Sequence, residues 1–418
     1  MYSLRPYQRE AVNVAVAKLR SKSKPFIIQA ATGAGKSLII ADICHQIDEP
    51  ILILQPSKEI LEQNYAKLVS YDSMIQASMY SASVGQKKIS KFTFATIGSI
   101  KDYDLFKHFK YVIIDECHGV NGKADESMLT SFFKAINCEH ICGLTATPYR
   151  LDVLWEKEFV AGQMQLTSTA TLKMLNRIAG KGKKPFFGEI AYQIETPELI
   201  KAGYLSPIKY LIEQTDWSQL RVNTTGADFR ADSVLKWARN RVERVTAALE
   251  YADGAHKRSL TFCANLEQAA EIQEAVEALG IRTELVSGKT PKKEREKLIT
   301  AYKAGDFRHM LNVGVFTTGF DMPNLDCVIL AKPTMSLALY YQMVGRGVRL
   351  DPDDPGKVLH VYDMAGVVKR LGRVETIRVV KEPKGFRNEV HTEVGRLDGY
   401  PLYSFTVEPK KKEEENAN

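Results

Sequence analysis

Ala30-Ala31-Thr32-Gly33-Ala34-Gly35-Lys36-Ser37 is the stretch whose reading decides the fold. It follows a short apolar run, Pro25-Phe26-Ile27-Ile28-Gln29, and opens a helix-like pattern, Ser37-Leu38-Ile39-Ile40-Ala41-Asp42-Ile43. A glycine-bearing turn between strand and helix is the setting a phosphate-binding loop needs, because backbone N–H groups and a helix N-terminus converge on one anion. Gly33 and Gly35 allow the backbone of Thr32, Ala34 and their neighbours to turn inward around a β-phosphate. Lys36 supplies charge to the β- and γ-phosphates, and Ser37 offers a hydroxyl to Mg²⁺. The strict pattern is missed at one position, where Ala30 replaces the first glycine. The plainer reading is a turn with an exposed lysine, and the flanking strand and helix weigh against it.

Three further motifs extend this reading. Val112-Ile113-Ile114-Asp115-Glu116-Cys117-His118 is an apolar strand ending in adjacent carboxylates. Beside a phosphate loop, Asp115 is expected to hold Mg²⁺, and Glu116 to polarise an attacking water. Leu144-Thr145-Ala146-Thr147-Pro148 again follows a strand, and its hydroxyls can bond the carboxylate motif. Far along the chain comes Gln342-Met343-Val344-Gly345-Arg346-Gly347-Val348-Arg349. Arg346 and Arg349 are three apart, so on a helix they share a face. A forked guanidinium brought to a phosphate loop from elsewhere stabilises the charge of phosphoryl transfer.

The surrounding pattern predicts an α/β protein with two parallel sheets in tandem. Short apolar runs (PFIIQA, ILILQP, FTFATI, YVIIDE, HICGLTA) alternate with helical patterns over about 25–150, and a second set (RSLTFCA, RTELVSG, HMLNVGVF, CVILAKP, VLHVYDM) does so over about 257–365. Continuous apolar strands between helices imply parallel sheets covered on both faces. The expected division is 1–205, with a basic insertion at about 151–187, then 206–365, then a C-terminal extension, 366–418, with a disordered charged tail.

The chain has 418 residues, 44% hydrophobic and 26% charged, which is globular composition and excludes collagen-like or wholly disordered classes. No run of about 18 apolar residues occurs, so no membrane-spanning helix is expected, and the first residues lack the apolar core of a secretory signal. Six scattered cysteines fit a reducing cytoplasm rather than a disulfide scaffold. A net charge of +7 permits a nucleic-acid partner without demanding one.

Together the motifs resemble the superfamily 2 helicases and translocases, with a DEAD-like box spelled Asp115-Glu116-Cys117-His118. The resemblance implies two tandem RecA-like domains, ATP and Mg²⁺ as cofactors, and a cleft completed by Gln342, Arg346 and Arg349. It likens Leu4-Arg5-Pro6-Tyr7-Gln8 to the family's adenine-recognising element, with Gln8 reading the base and Arg5 supporting it. It implies nucleic-acid contacts at Pro56, Ser57, Lys58, Thr96, Gly98, Ser99, Asn265 and Thr317, and places Gly319 and Asp321 near the ribose. Within the superfamily the chain looks most like the bacterial RadD-type DNA repair ATPases, through LRPYQREAV, GLTATPYRL, AGYLSP, TTGFDMPNLD and YYQMVGRGVRL. The phage UvsW-type helicases are a second likeness of the core. The RadD-type proteins end in a cysteine-rich zinc element, whereas 366–418 here has no cysteine, so zinc is not carried over.

The likeness implies a monomeric, cytoplasmic DNA motor in a bacterium or phage-infected cell, with a single-strand-binding protein as a partner by analogy. RNA as the substrate, a nucleotide-gated clamp and a small-molecule kinase remain alternatives, the last opposed by the second α/β unit. Cys138, His140 and Cys142 are read as one face of a buried strand rather than a metal site. Lys173, Arg177, Lys181, Lys183 and Lys184 form an acid-free stretch read as an exposed helix or loop, either phosphate-binding or merely solvated. Tyr340 and Tyr341 are read as core.

Overall fold

The structure is a computed structural model that describes residues 3–21, 23–120, 128–160, 163–179, 184–223, 228–316, 322–381, 388–398 and 403–406. The first part runs α1 (Pro6–Arg20), β1 (Phe26–Ala30), α2 (Lys36–Ile47), β2 (Ile51–Gln55), α3 (Lys58–Tyr71), β3 (Ala77–Ser81), β4 (Gln86–Lys87), β5 (Phe92–Thr96), β6 (Tyr111–Asp115), α4 (Met128–Ile136) and β7 (His140–Thr145). A long hairpin follows, β8 (Tyr149–Val160) and β9 (Gln163–Met174), then β10 (Glu189–Ile194) and α5 (Thr196–Lys201). The second part runs β11 (Ile208–Ile212), α6 (Ala231–Arg239), α7 (Val242–Ala255), β12 (Ser259–Phe262), α8 (Leu266–Glu277), β13 (Thr283–Ser287), α9 (Lys292–Ala304), β14 (His309–Val313), β15 (Cys327–Leu330), α10 (Leu337–Val344) and β16 (Leu359–Asp363). The extension holds α11 (Val368–Leu371), β17 (Arg378–Lys381), β18 (Asn388–Thr392), β19 (Gly395–Arg396) and β20 (Tyr403–Thr406).

The apolar runs become the central strands. β1, β2 and β5 are buried at every position, as strands covered on both faces must be. The first sheet has the order β10-β1-β7-β6-β2-β5-β3-β4, and the second β11-β16-β15-β12-β14-β13. Pairing is parallel throughout the second sheet and parallel in the first except at β3–β4. The chain leaves the first sheet after β10 and enters the second at β11. An apolar cluster runs without a break from α1 (Val12, Leu19) through the linker residue Leu205 to Tyr341 and Val348 of the second part. The two halves therefore share buried surface.

Two regions differ from the sequence expectation. Part of the 151–187 segment is a two-stranded antiparallel hairpin, paired from Tyr149↔Met174 to Val160↔Gln163. Its mixed polar and apolar sequence gives no clean period, while the pairing of the two strands satisfies the backbone. The basic stretch is also not acid-free in space. Lys173 lies on β9, 3.6 Å from Asp152, and Arg177 bonds Asp398 at 3.2 Å. Lys181 and Lys183 fall outside the described residues. In addition, Cys138 precedes β7 instead of sharing a face with His140 and Cys142.

The extension returns to the first half. Val379 N–H donates to Glu195 Oε1 at 2.6 Å, and Gln193 Nε2 donates to the Val379 carbonyl at 3.1 Å. Asn176 Nδ2 donates to Asn388 Oδ1 at 3.1 Å, and β20 pairs with β9. The same extension holds the second half through Glu375, which accepts from Tyr210 Oη at 2.8 Å. The expected disordered tail, residues 407–418, lies outside the described residues. Among the described residues, no helix is long and apolar enough to cross a membrane.

Candidate nucleotide site

The phosphate loop closes between β1 and α2. Gly35, at φ 82°, sits in the left-handed region, where a side chain is strained, and a Cβ there would meet Gln8 Nε2 at 2.5 Å. The loop is braced from α1: Gln8 Nε2 and Tyr7 Oη donate to the Ala34 carbonyl at 2.8 and 3.0 Å. Gln8 Oε1 accepts the Arg5 N–H at 2.9 Å. Both ends of this buried amide are thus engaged within the protein, so Gln8 shapes the loop directly. Arg5 lies over the Tyr204 ring, 4.6 Å from its centroid, and donates to Tyr7 Oη at 3.3 Å.

The carboxylates arrive from β6. Asp115 ends the strand buried, and Glu116 follows in the left-handed region at φ 48°. That conformation costs a non-glycine residue on the order of 1–3 kcal/mol and turns the Glu116 side chain back towards the loop. Lys36 Nζ stands 3.3 Å from Glu116 Oε1. Ser37 Oγ donates to Asn64 Oδ1 at 2.5 Å, and Asn64 Nδ2 donates to Asp115 Oδ2 at 2.8 Å. One buried amide on α3 therefore aligns both groups expected to hold the metal. Burial and the Glu116 charge push the Asp115 carboxyl up, to about 6. Burial also works to raise Glu116, but Lys36 and His118 overcome it and hold that carboxyl well below the usual range. The two neighbouring acids are thereby set apart, one kept ionised and the other easily protonated.

His118 is a junction. Its Nδ1 lies 3.3 Å from Glu116 Oε2, 3.0 Å from Thr145 Oγ1 and 3.4 Å from Thr147 Oγ1. Its Nε2 is 3.5 Å from Gln342 Nε2 on α10. The hydroxyls of the Thr145–Thr147 turn and Gln342 thus meet at one ring.

The second half completes the pocket. Its walls include Thr32, Lys36, Ser37, Asn64, Asp115 and Glu116 from the first half, and Gly345, Arg346 and Arg349 from the second. Approach is close: a Cβ on Gly345 would stand 2.6 Å from Thr32 Cγ2. Arg346 Nε donates to the Gln342 carbonyl at 3.2 Å. The linker grips this segment, with Ser206 Oγ donating to the Arg349 carbonyl at 3.1 Å.

The residues expected to meet nucleic acid lie at element ends. Ser57, after Pro56 and before Lys58, caps α3 by accepting the Ile60 N–H at 3.4 Å. Lys58 opens that helix, 3.3 Å from Glu62. Thr96 ends β5, its hydroxyl 2.9 Å from Ser81 Oγ and 2.8 Å from Ser99 Oγ, with Gly98 between in a short 3₁₀ turn. Asn265 caps α8 through the Gln268 N–H at 2.8 Å. Thr317, Gly319 and Asp321 lie outside the described residues. Asn64 was missed by sequence reasoning, although a signal existed: it is a polar residue in the buried stripe Ile60, Leu61, Leu68, Tyr71. Tyr341, read as core, also bonds across the halves, and Glu195 bonds the extension.

Fold and pocket together define a two-domain P-loop nucleotide-binding protein whose site is split between RecA-like halves. The family described as "Type III restriction enzyme, res subunit" matches residues 1–150, and "Helicase conserved C-terminal domain" matches 240–351. These two matches, one in each half, fit the superfamily 2 helicases that the motifs resemble. The chain is 26% identical over 402 residues to IRC3 of Saccharomyces cerevisiae, named as an ATP-dependent helicase, covering 91% of this chain and 53% of that protein. It is 23% identical over 366 residues to the DNA 3'-5' translocase XPB2 of Sulfurisphaera tokodaii, covering 83% of this chain and 78% of the relative. The chain thus spans about half the length of the yeast relative. Among solved structures, a fragment described as an HsdR subunit of a type I restriction enzyme from Vibrio vulnificus superimposes with a TM-score of 0.62 at 18% identity, over 96% of this chain and 68% of that one.

Proposed function

We propose that the chain is an ATP-driven motor that moves along nucleic acid, with DNA as the preferred track. The observation that carries this reading is the split pocket, with the phosphate loop and carboxylates on one half and Arg346 and Arg349 on the other. Ser37 and Asp115, both aligned by Asn64, are hard oxygen donors and fit Mg²⁺. The metal, when bound, neutralises charge on the β- and γ-phosphates. Lys36 binds the same phosphates, Glu116 orients the water, and the arginines neutralise the developing charge. Because these groups come from two halves, the complete set assembles only when the cleft closes, and loss of the γ-phosphate releases it.

The preference for DNA is supported by relatives named for DNA translocation, and a part in repair by the RadD-like motifs. Monomeric action in the cytoplasm, with a single-strand-binding protein as partner, belongs to the same reading. Residues Ser57, Lys58, Thr96, Ser99 and Asn265 serve phosphate contacts, which favour grip over sequence readout. The test is steady-state ATPase alone and with single-stranded, duplex or forked DNA or RNA at two salt concentrations. Stimulation by DNA that weakens with salt is expected. Turnover indifferent to every nucleic acid overturns the motor reading, and a strand-displacement assay separates a motor from a clamp.

A further inference from the structure

Tyr341 sits on α10, one residue before Gln342 and one turn before Gly345, and is 4% exposed. Its hydroxyl is hydrogen-bonded to Thr196 Oγ1, at the start of α5 in the segment that leads out of the first sheet. Thr196 is itself buried, and the residue before it, Glu195, is the anchor of the returning extension. One turn further on, Gly345 packs against the Thr32 side chain of the phosphate loop. A phenylalanine would fill the same apolar space, so burial alone does not call for the hydroxyl. What the hydroxyl adds is a polar contact with the other half.

We propose that the Tyr341 hydroxyl is a positioning group for the arginine segment: by bonding Thr196, it fixes where the end of α10, and with it Gln342, Arg346 and Arg349, stands relative to the phosphate loop. This rests on the ATPase reading above. Tyr341 touches no reacting atom. It acts through α10, whose C-cap Gly345 packs onto Thr32, so a small rotation of the helix carries the turn that follows it, and both guanidinium groups with it, away from the phosphate loop. A buried hydroxyl pair has no water to replace a missing partner, which makes the link sensitive to loss of either side.

The test is a double-mutant cycle on kcat with Tyr341→Phe, Thr196→Val and the pair, and Thr196→Ser as the conservative control. Each hydroxyl deletion should lower kcat by roughly tenfold, with KM for ATP changed less than about twofold, and the pair should fall no further than either single variant. Thr196→Ser should keep wild-type turnover. Hydrogen exchange of α10 with a non-hydrolysable ATP analogue provides a readout apart from turnover: protection should appear in the wild type and be reduced in Tyr341→Phe. Wild-type kcat and wild-type protection in Tyr341→Phe overturn the proposal, as do losses that multiply in the pair. An inactive wild-type protein that nonetheless protects α10 through Tyr341 counts against the ATPase reading instead.

Discussion

Lys36 Nζ lies 3.3 Å from Glu116 Oε1, so the cation proposed to bind phosphate is paired with the carboxylate proposed to orient water. A bound triphosphate must compete for that ammonium, and as it draws Lys36 away it leaves Glu116 free to accept a proton. Lys36→Ala should therefore abolish turnover while leaving nucleic-acid binding measurable. Glu116→Gln should still bind ATP but turn over about 10²–10⁴ times more slowly. A nucleotide-binding titration beside steady-state kinetics checks both, and substantial ATPase in Lys36→Ala would contradict the assignment.

Arg349 reaches the pocket from the second half, held through its carbonyl by Ser206. Arg349→Ala should lower kcat by about 10³-fold, in line with arginines brought to a phosphate loop from outside, with ATP affinity little changed. Single-turnover kinetics separates the two quantities. Normal chemistry in this variant assigns the role to Arg346 alone.

Asn64 bonds Ser37 at 2.5 Å and Asp115 at 2.8 Å, so its loss should be felt at the metal before the nucleotide. Asn64→Leu should raise the Mg²⁺ concentration for half-maximal ATPase by about tenfold or more, as removal of a group behind metal ligands commonly does. An unchanged Mg²⁺ titration would show that the two ligands hold their places unaided.

Glu195 gives the pH dependence. Burial raises its carboxyl from 4.5 to about 7, opposed by the Val379 N–H and Arg378. Since the folded chain holds this proton more tightly than the unfolded chain, the stabilisation it brings is complete below the unfolded value, wanes as the pH climbs through the folded one, and is absent above it. The span amounts to at most about 3 kcal/mol. Glu195→Gln should therefore gain melting temperature relative to the wild type at pH 8 and lose that advantage at pH 4.5. A difference between the two proteins that does not vary with pH would show that the site is not as buried as the contacts imply.

Central strands such as β1, β2, β6 and β15 could be read from the sequence because each is a continuous apolar run, and burial on both faces leaves no other pattern. The phosphate loop and Asp115-Glu116 were equally plain, since their chemistry depends on neighbours in the chain. Asn64, Glu195 and Tyr341 were not. Asn64 matters because α3 lies beside β6, and Glu195 because a strand 184 residues further on returns to it. Tyr341 looked like any buried aromatic, because its partner Thr196 is 145 residues away. The hairpin β8–β9 was missed for a different reason: its partners adjoin in the chain, but its mixed polar and apolar sequence shows no clean alternation.

The extension that crosses back from the second half to Glu195 and Asn176 has a mechanical meaning. Two bodies joined by one strand of chain can swivel about any line through the joint. Here the halves are joined twice, by the linker at Leu205–Ser206 and by the returning 374–398 segment. A door hung on two pins swings about one line only. On the motor reading proposed above, opening and closing of the cleft then retrace one path, so every nucleotide cycle moves the two halves through the same step.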